Sequence, residues 1–240
     1  SLQRPKLAQA LGPVLSDAPE VADATLPDDP TAGDVVRGAL RSSARRLLDH
    51  HAVAVEGDDP EGVHQMRVAA RRLRSDLRTF RPLLDREVTD PLRDELRWLG
   101  EVLGAVRDAD VLGPRLERQA AELLDDADRD GVDELLTRLT AERTEASAAM
   151  LEVLGADRYR RLLDRVVALA EDPPLGAGAD DPAASVAGLV ARPWKRLRRL
   201  VAEVDHRDDD ALHEVRKRAK AVRYACEAVE PAVGRPDRRA

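Results

Sequence analysis

The strongest constraint on this chain is a pattern that it carries twice. Asp59-Pro60-Glu61-Gly62-Val63-His64-Gln65-Met66-Arg67 runs on through Arg71, Arg72, Arg74 and Arg78 to Pro82. A shift of 149 residues lays Asp59 on Asp208, Glu61 on Asp210, Val63 on Leu212 and His64 on His213. The same shift lays Arg67 on Arg216, Ala70 on Ala219, Arg71 on Lys220, Arg74 on Arg223 and Pro82 on Pro231. A repeat that conserves a cap, a histidine, a run of cations and a terminator predicts two similar halves related by a pseudo-twofold axis.

Each copy reads as a helix. Asp59 is an N-cap residue, Pro60 suits the first helical position, Glu61 favours the positive end of the helix dipole, and Pro82 marks the end. At 100° per residue His64, Arg67, Arg71, Arg74 and Arg78 fall within about 80° of one another, a basic stripe about 20 Å long. Val63, Met66, Ala70, Leu73, Leu77 and Phe80 supply the apolar packing around it. Like charges at helical neighbour spacing each cost a few tenths of a kcal/mol, so the stripe carries a penalty on the order of 1 kcal/mol. A costly stripe that occurs twice predicts a positively lined channel for a polyanion where the two face each other.

Around this repeat the apolar spacing predicts further helices. A first helix runs from Asp34 to about Glu56, and at the same offset its Arg46 falls on Lys195 and its Leu48 on Leu197. A third helix over 88–104 ends or bends at Gly104, and Arg107-Asp108-Ala109-Asp110 leads into a fourth through Leu123, with Asp108 or Asp110 as a cap or a functional group and Arg107 as a ligand-facing candidate. Helices over 131–153 and 157–170 and a Pro/Gly-rich loop at 172–182 join the halves, about 34–128 and 183–235. The second half opens with a helix from about Ala183 to Val204 and continues with the second striped helix over 209–230. Residues 1–33 read as an N-terminal arm and linker, and 236–240 as a tail.

Composition agrees with helices: aromatics make up 2% of the chain and charged residues 35%, with the apolar content in Ala, Leu and Val. The absence of Ile and Asn, with Arg far above Lys, suggests a GC-rich bacterial genome. The net charge of −7 excludes a uniformly basic protein, yet residues 64–81 hold six arginines against one acid, Asp76. Cys226 stands alone, which predicts a packed thiol and a cytoplasmic setting. No run of about 18 apolar residues appears, so no membrane partner is expected.

The segments His64-Gln65-Met66-Arg67-Val68-Ala69-Ala70-Arg71-Arg72-Leu73-Arg74, Leu103-Gly104-Ala105-Val106-Arg107-Asp108-Ala109-Asp110 and His213-Glu214-Val215-Arg216-Lys217-Arg218-Ala219-Lys220, with Tyr224 after the last, resemble the CHAD family, the conserved histidine α-helical domain. The resemblance covers roughly 34–235 and rests on the paired His-x-x-Arg motifs. It implies an all-α fold, a pseudo-twofold pair of helical bundles around a basic central groove or pore, that binds inorganic polyphosphate and is found with polyphosphate granules. The binding residues it implies are His64, Arg67, Arg71, Arg72, Arg74, His213, Arg216, Lys217, Lys220 and Arg223. The stripe and the offset add Arg78, Lys195 and Arg198. The opening Arg4-Pro5-Lys6-Leu7-Ala8-Gln9-Ala10-Leu11 is similar to the end of a CYTH domain, which implies such a domain upstream. One departure stands out: after the second striped helix nothing in the sequence mirrors residues 90–125.

Arginine suits this ligand because its planar fork stays charged and donates pairs of hydrogen bonds to phosphate oxygens. Three rivals fit less well. Glu61-Gly62-Val63-His64 and Asp210-Ala211-Leu212-His213 have the acid-x-x-His spacing of metal-carboxylate bundles, but the helix dipole already accounts for the acids and the arginines repel a cation. Binding to nucleic acid or another polyanion is the alternative within the same class, against which stand the negative net charge and only five aromatics: Phe80, Trp98, Tyr159, Trp194 and Tyr224. Phosphate chemistry would call for a Gly-rich phosphate loop, a carboxylate cluster or a paired nucleophile, so the expectation is a binding module with no cofactor.

Overall fold

The computed structural model describes residues 21, 25–56, 60–123 and 129–233. The Asp59 cap, most of the N-terminal arm and the 236–240 tail lie outside these residues. Seven α-helices occupy the described chain: α1 Ala32–Glu56, α2 Pro60–Thr79, α3 Arg86–Leu123, α4 Arg129–Gly155, α5 Asp157–Glu171, α6 Ala187–Glu203 and α7 Asp209–Val233. Short 3-10 turns at Arg81–Leu83 and Ala183–Val186 precede α3 and α6. The only β pairing among the described residues is two isolated bridges, Thr31 with Pro182 and Leu84 with Leu175, and the fold is all-α.

The helix starts follow from side-chain caps. Thr31 and Asp34 make a reciprocal capping box, in which the Asp34 N–H donates to Thr31 Oγ1 at 3.2 Å and the Thr31 N–H donates to Asp34 Oδ2 at 3.0 Å. This sets the start of α1 two residues before the Asp34 expected from apolar spacing. Asp208 caps α7 as its place in the repeat predicts, accepting from the N–H groups of Asp210 at 2.9 Å and Ala211 at 3.1 Å.

Two expected breaks do not occur. Residues 88–104 and the segment to Leu123 form a single helix, because the inward series Leu92, Leu96, Leu99, Leu103 and Val106 keeps one helical phase through the buried Gly104. Asp108 and Asp110 therefore lie in the middle of α3 and cap nothing. Pro231 lies inside α7 and does not end it: lacking an N–H, it forgoes one intrahelical bond, and the last turn continues to Val233.

The described chain divides into two compact units, interleaved along the sequence. The first contains Arg46–Arg71 and Glu95–Arg165, with Leu47, Met66, Leu99, Leu103, Tyr159 and Leu162 at its core. Within it the Tyr159 hydroxyl lies 2.8 Å from His51 Nδ1, both side chains buried, so His51 is a packing residue of the interior. Arg158 pairs with Glu95 through bonds of 2.8 and 3.1 Å and lays its guanidinium 3.8 Å from the Trp98 ring centre.

The second unit contains Arg72–Asp94, the chain from Val166 onward, and the start of α1 up to Arg45. Leu40, Leu73, Leu77, Phe80, Val166 and Val229 lie in its core. Its loop before α6 is stitched down by main-chain bonds, with Ala32 N donating to Asp181 O at 2.8 Å, Gly33 N to Ala179 O at 2.7 Å and Gly176 N to Leu83 O at 2.9 Å. The Asp181 and Ala179 carbonyls satisfy N–H groups in the first turn of α1 that have no partner within the helix. Gly178 makes the turn possible with φ +84°.

The single thiol is a correction. Cys226 is exposed, because the inward face of α7 is set by Val222, Tyr224, Ala225, Ala228 and Val229. Trp194 is also 51% exposed, on α6, whereas Phe80, Tyr159 and Tyr224 are buried.

Candidate functional site

The first unit carries four of the expected binding residues: His64, Arg67, Arg71 and Arg107. His64 and Arg67 are partly buried on α2 and Arg71 is exposed. The Arg67 guanidinium packs across Gly104, where an added Cβ would sit 3.5 Å from its Nη2, and pairs with Asp108 at 3.6 Å. Arg107 lines a cavity of about 270 Å³ between α3 and α4, whose wall also includes Asp110 and Arg143. The Asp110 side chain is only 4% exposed and accepts from Arg143 Nε at 2.5 Å. Each aspartate of the Arg107-Asp108-Ala109-Asp110 motif thus holds an arginine from another helix.

The second unit carries the other ten, Arg72, Arg74, Arg78, Lys195, Arg198, His213, Arg216, Lys217, Lys220 and Arg223. Here α2 and α7 run antiparallel. Arg72 of α2 meets Glu227 of α7 at 2.8 Å, and six residues further along α2, Arg78 feels the charge of Arg218, which lies nine residues back along α7. Glu227 also pairs with Arg223 at 3.6 Å, and the buried Tyr224 ring has Arg223 and Arg72 at 5.0 and 6.0 Å from its centre.

Arg78 is the electrostatic focus. Its side chain keeps contact with solvent, but surrounding protein partly desolvates the guanidinium, and the like charges of Arg74, Arg93 and Arg218 add to this. The result is a pKa below the ordinary arginine value, although a group this basic stays charged. Among the described residues Arg78, Lys195, Arg198, Arg216 and Lys220 make no ion pair. His213, Arg216, Lys217, Lys220 and Arg223 are exposed along α7, and Lys195 and Arg198 are exposed on α6, which packs against α7. Lys217 is paired with Glu214, which also draws Arg218 at 3.9 Å.

Two cations beside Arg78 escape the sequence reading. Arg218 aligns at the repeat offset with Ala69, so the repeat gives it no counterpart. Arg93 belongs to α3, where Asp90 holds it at 3.1 Å while also binding Arg81 at 2.6 Å, and no periodicity links it to α2. The one signal in the sequence is that Arg218 lies within the second His-x-x-Arg segment. Among the described residues no group of three His, Cys, Asp or Glu side chains is placed to hold a metal ion.

Comparison with known proteins agrees with this architecture. The Mycobacterium tuberculosis protein Rv2226 (strain H37Rv) is 32% identical over 233 residues, 93% of this chain, and MT2285 of strain CDC 1551 matches to the same extent. The chain spans 43% of the length of each of these relatives. Among solved structures, PptA from Streptomyces chartreusis superposes with a TM-score of 0.74 at 27% identity, covering 86% of this chain and 77% of that one. The CHAD domain from the plant Ricinus communis superposes with a TM-score of 0.69 at 29% identity, covering 87% of this chain and 69% of that one. The family model for the CHAD domain matches residues 38–240, and on that match the chain belongs to the CHAD domain family.

Proposed function

We propose that this chain binds inorganic polyphosphate without cleaving it, as a holding module that brings a protein to polyphosphate. The observation that carries the reading is the gathering of Arg74, Arg93 and Arg218, from three helices, near the Arg78 guanidinium, which has no carboxylate of its own among the described residues. The like charges of Arg74, Arg93 and Arg218 disfavour the Arg78 charge at that place, and a ligand that supplies phosphoryl oxygens along a flexible chain offsets this. Arginine meets such oxygens with forked, charge-assisted bonds that need no base edge to read.

The test is calorimetric titration of long-chain polyphosphate, and of single-stranded DNA of similar total charge, into the protein near physiological salt. The double variant Arg78→Glu/Lys220→Glu runs beside it. Polyphosphate should bind more tightly than DNA, and the variant should lose roughly tenfold or more, which is about 1.4 kcal/mol per factor of ten. The melting temperature separates binding from folding. A carboxylate at position 78 sits among Arg74, Arg93 and Arg218, so the variant should melt no lower than the parent. Failure of the folded parent to bind polyphosphate sinks the reading, and DNA binding of equal strength turns it into general polyanion binding.

A further inference from the structure

The second stripe contains a reversal of charge. At the repeat offset Arg78 of α2 corresponds to Glu227 of α7, so where the first copy has a cation the second has a carboxylate. Glu227 is spent on the site's own cations. Its Oε2 lies 2.8 Å from Arg72 Nη1 and its Oε1 lies 3.6 Å from Arg223 Nε. One carboxylate therefore holds two of the expected phosphate-binding arginines, one from each striped helix, whose guanidinium carbons lie 6.0 and 5.0 Å from the centre of the buried Tyr224 ring.

We propose that Glu227 is an affinity-setting residue, an internal carboxylate that occupies Arg72 and Arg223 until a polyanion displaces it. The proposal rests on the polyphosphate reading. The physics has two parts that pull in opposite directions. The Arg72 side chain is only 24% exposed, so its charge needs a partner when no ligand is present, and Glu227 supplies one. That same pair must be broken or shared before either guanidinium can turn its fork to a phosphoryl group, and the negative charge that remains repels the incoming oxygens. Stability of the empty site and affinity for the ligand are therefore set against each other through one side chain. The Tyr224 ring, 6.0 Å from the Arg72 guanidinium carbon and 5.0 Å from that of Arg223, gives both groups a second contact besides Glu227.

The experiment is polyphosphate titration of the parent, Glu227→Gln and Glu227→Asp at several salt concentrations, with melting curves for each. Glu227→Gln keeps the shape and one hydrogen-bond acceptor while removing the charge. It should melt lower, bind roughly threefold or more tightly, and show a salt dependence steeper by about 0.7 to 1.4 in log–log slope, one unit of about 0.7 for each added phosphate contact. Glu227→Asp keeps the charge on a shorter arm and should release Arg223, the longer contact, for an intermediate gain; it also carries the test if the glutamine variant does not fold. A purely structural role for Glu227 would lower the melting temperature without steepening the slope. Equal or weaker binding by both folded variants, with the parent binding normally, overturns the proposal. Absence of binding by the folded parent instead overturns the polyphosphate reading on which it stands.

Discussion

His51 shows how far burial can decide the behaviour of one group. Its imidazole is buried, and desolvation pushes its pKa below the ordinary histidine value. Burial likewise pushes ionisation of the Tyr159 hydroxyl upward, so the phenol keeps its proton and is assigned as the donor to a neutral ring at Nδ1. The unfolded chain takes up a proton near pH 6.5 while the folded chain resists it. Stability is therefore whole above about pH 6.5 and is lost as the pH falls from there toward the lower folded value. Melting temperatures of the parent and of His51→Gln, whose amide still accepts from Tyr159 and cannot be protonated, should diverge across that window, with the parent falling more steeply below pH 6.5. Parallel curves would remove His51 from the account. Nothing in the sequence distinguishes His51 from His50, because its state depends on Tyr159, 108 residues away. Cys226 is misread for a related reason: a small apolar residue predicts burial, but the phase of α7 is set by its neighbours.

At the scale of the element, the seven helices are legible because apolar spacing and caps act within one or two turns. The continuity of α3 is not. Gly104 followed by two aspartates has the local chemistry of a stop and a new start, and only Arg67 and Arg143, arriving from α2 and α4, give those aspartates other work. Glycine likewise has two different meanings here. A Cβ on Gly62 would lie 2.7 Å from Val53 Cγ1 and 3.0 Å from the Val53 carbonyl carbon, so Gly62→Ala forces α1 and α2 apart. Gly100, in the interior of α3, would meet nothing within 4 Å. Overpacking should make Gly62→Ala less stable by about 1 to 3 kcal/mol, whereas Gly100→Ala should be more stable by roughly 0.5 to 1 kcal/mol. Denaturant unfolding of the two variants checks both signs at once, and a neutral Gly62→Ala would mean that the close approach of the two helices is loose.

For the whole molecule the decisive fact is that charge is segregated and not abundant. A net charge of −7 coexists with a cluster of four arginines drawn from α2, α3 and α7, so affinity for a polyanion must come from local contacts and not from the protein's total charge. The sequence made the stripes visible because a helix converts spacing into a face, but it could not reveal Arg93, or the Glu227 pairing, which need helices packed side by side. If each stripe supplies about four phosphate contacts at about 0.7 released counterions apiece, log affinity should fall by roughly 5 to 6 for each tenfold rise in salt. Replacing Arg78 and Lys220 by glutamate removes two contacts, so the slope should flatten by at least about 1.4 as affinity drops. Steered attraction by total charge would behave differently: a chain with net negative charge would bind weakly at every salt concentration. A titration series from low to high salt on the parent and the double variant therefore distinguishes a contact-counted site from diffuse attraction, and a slope near zero would show that phosphate contacts do not hold the ligand.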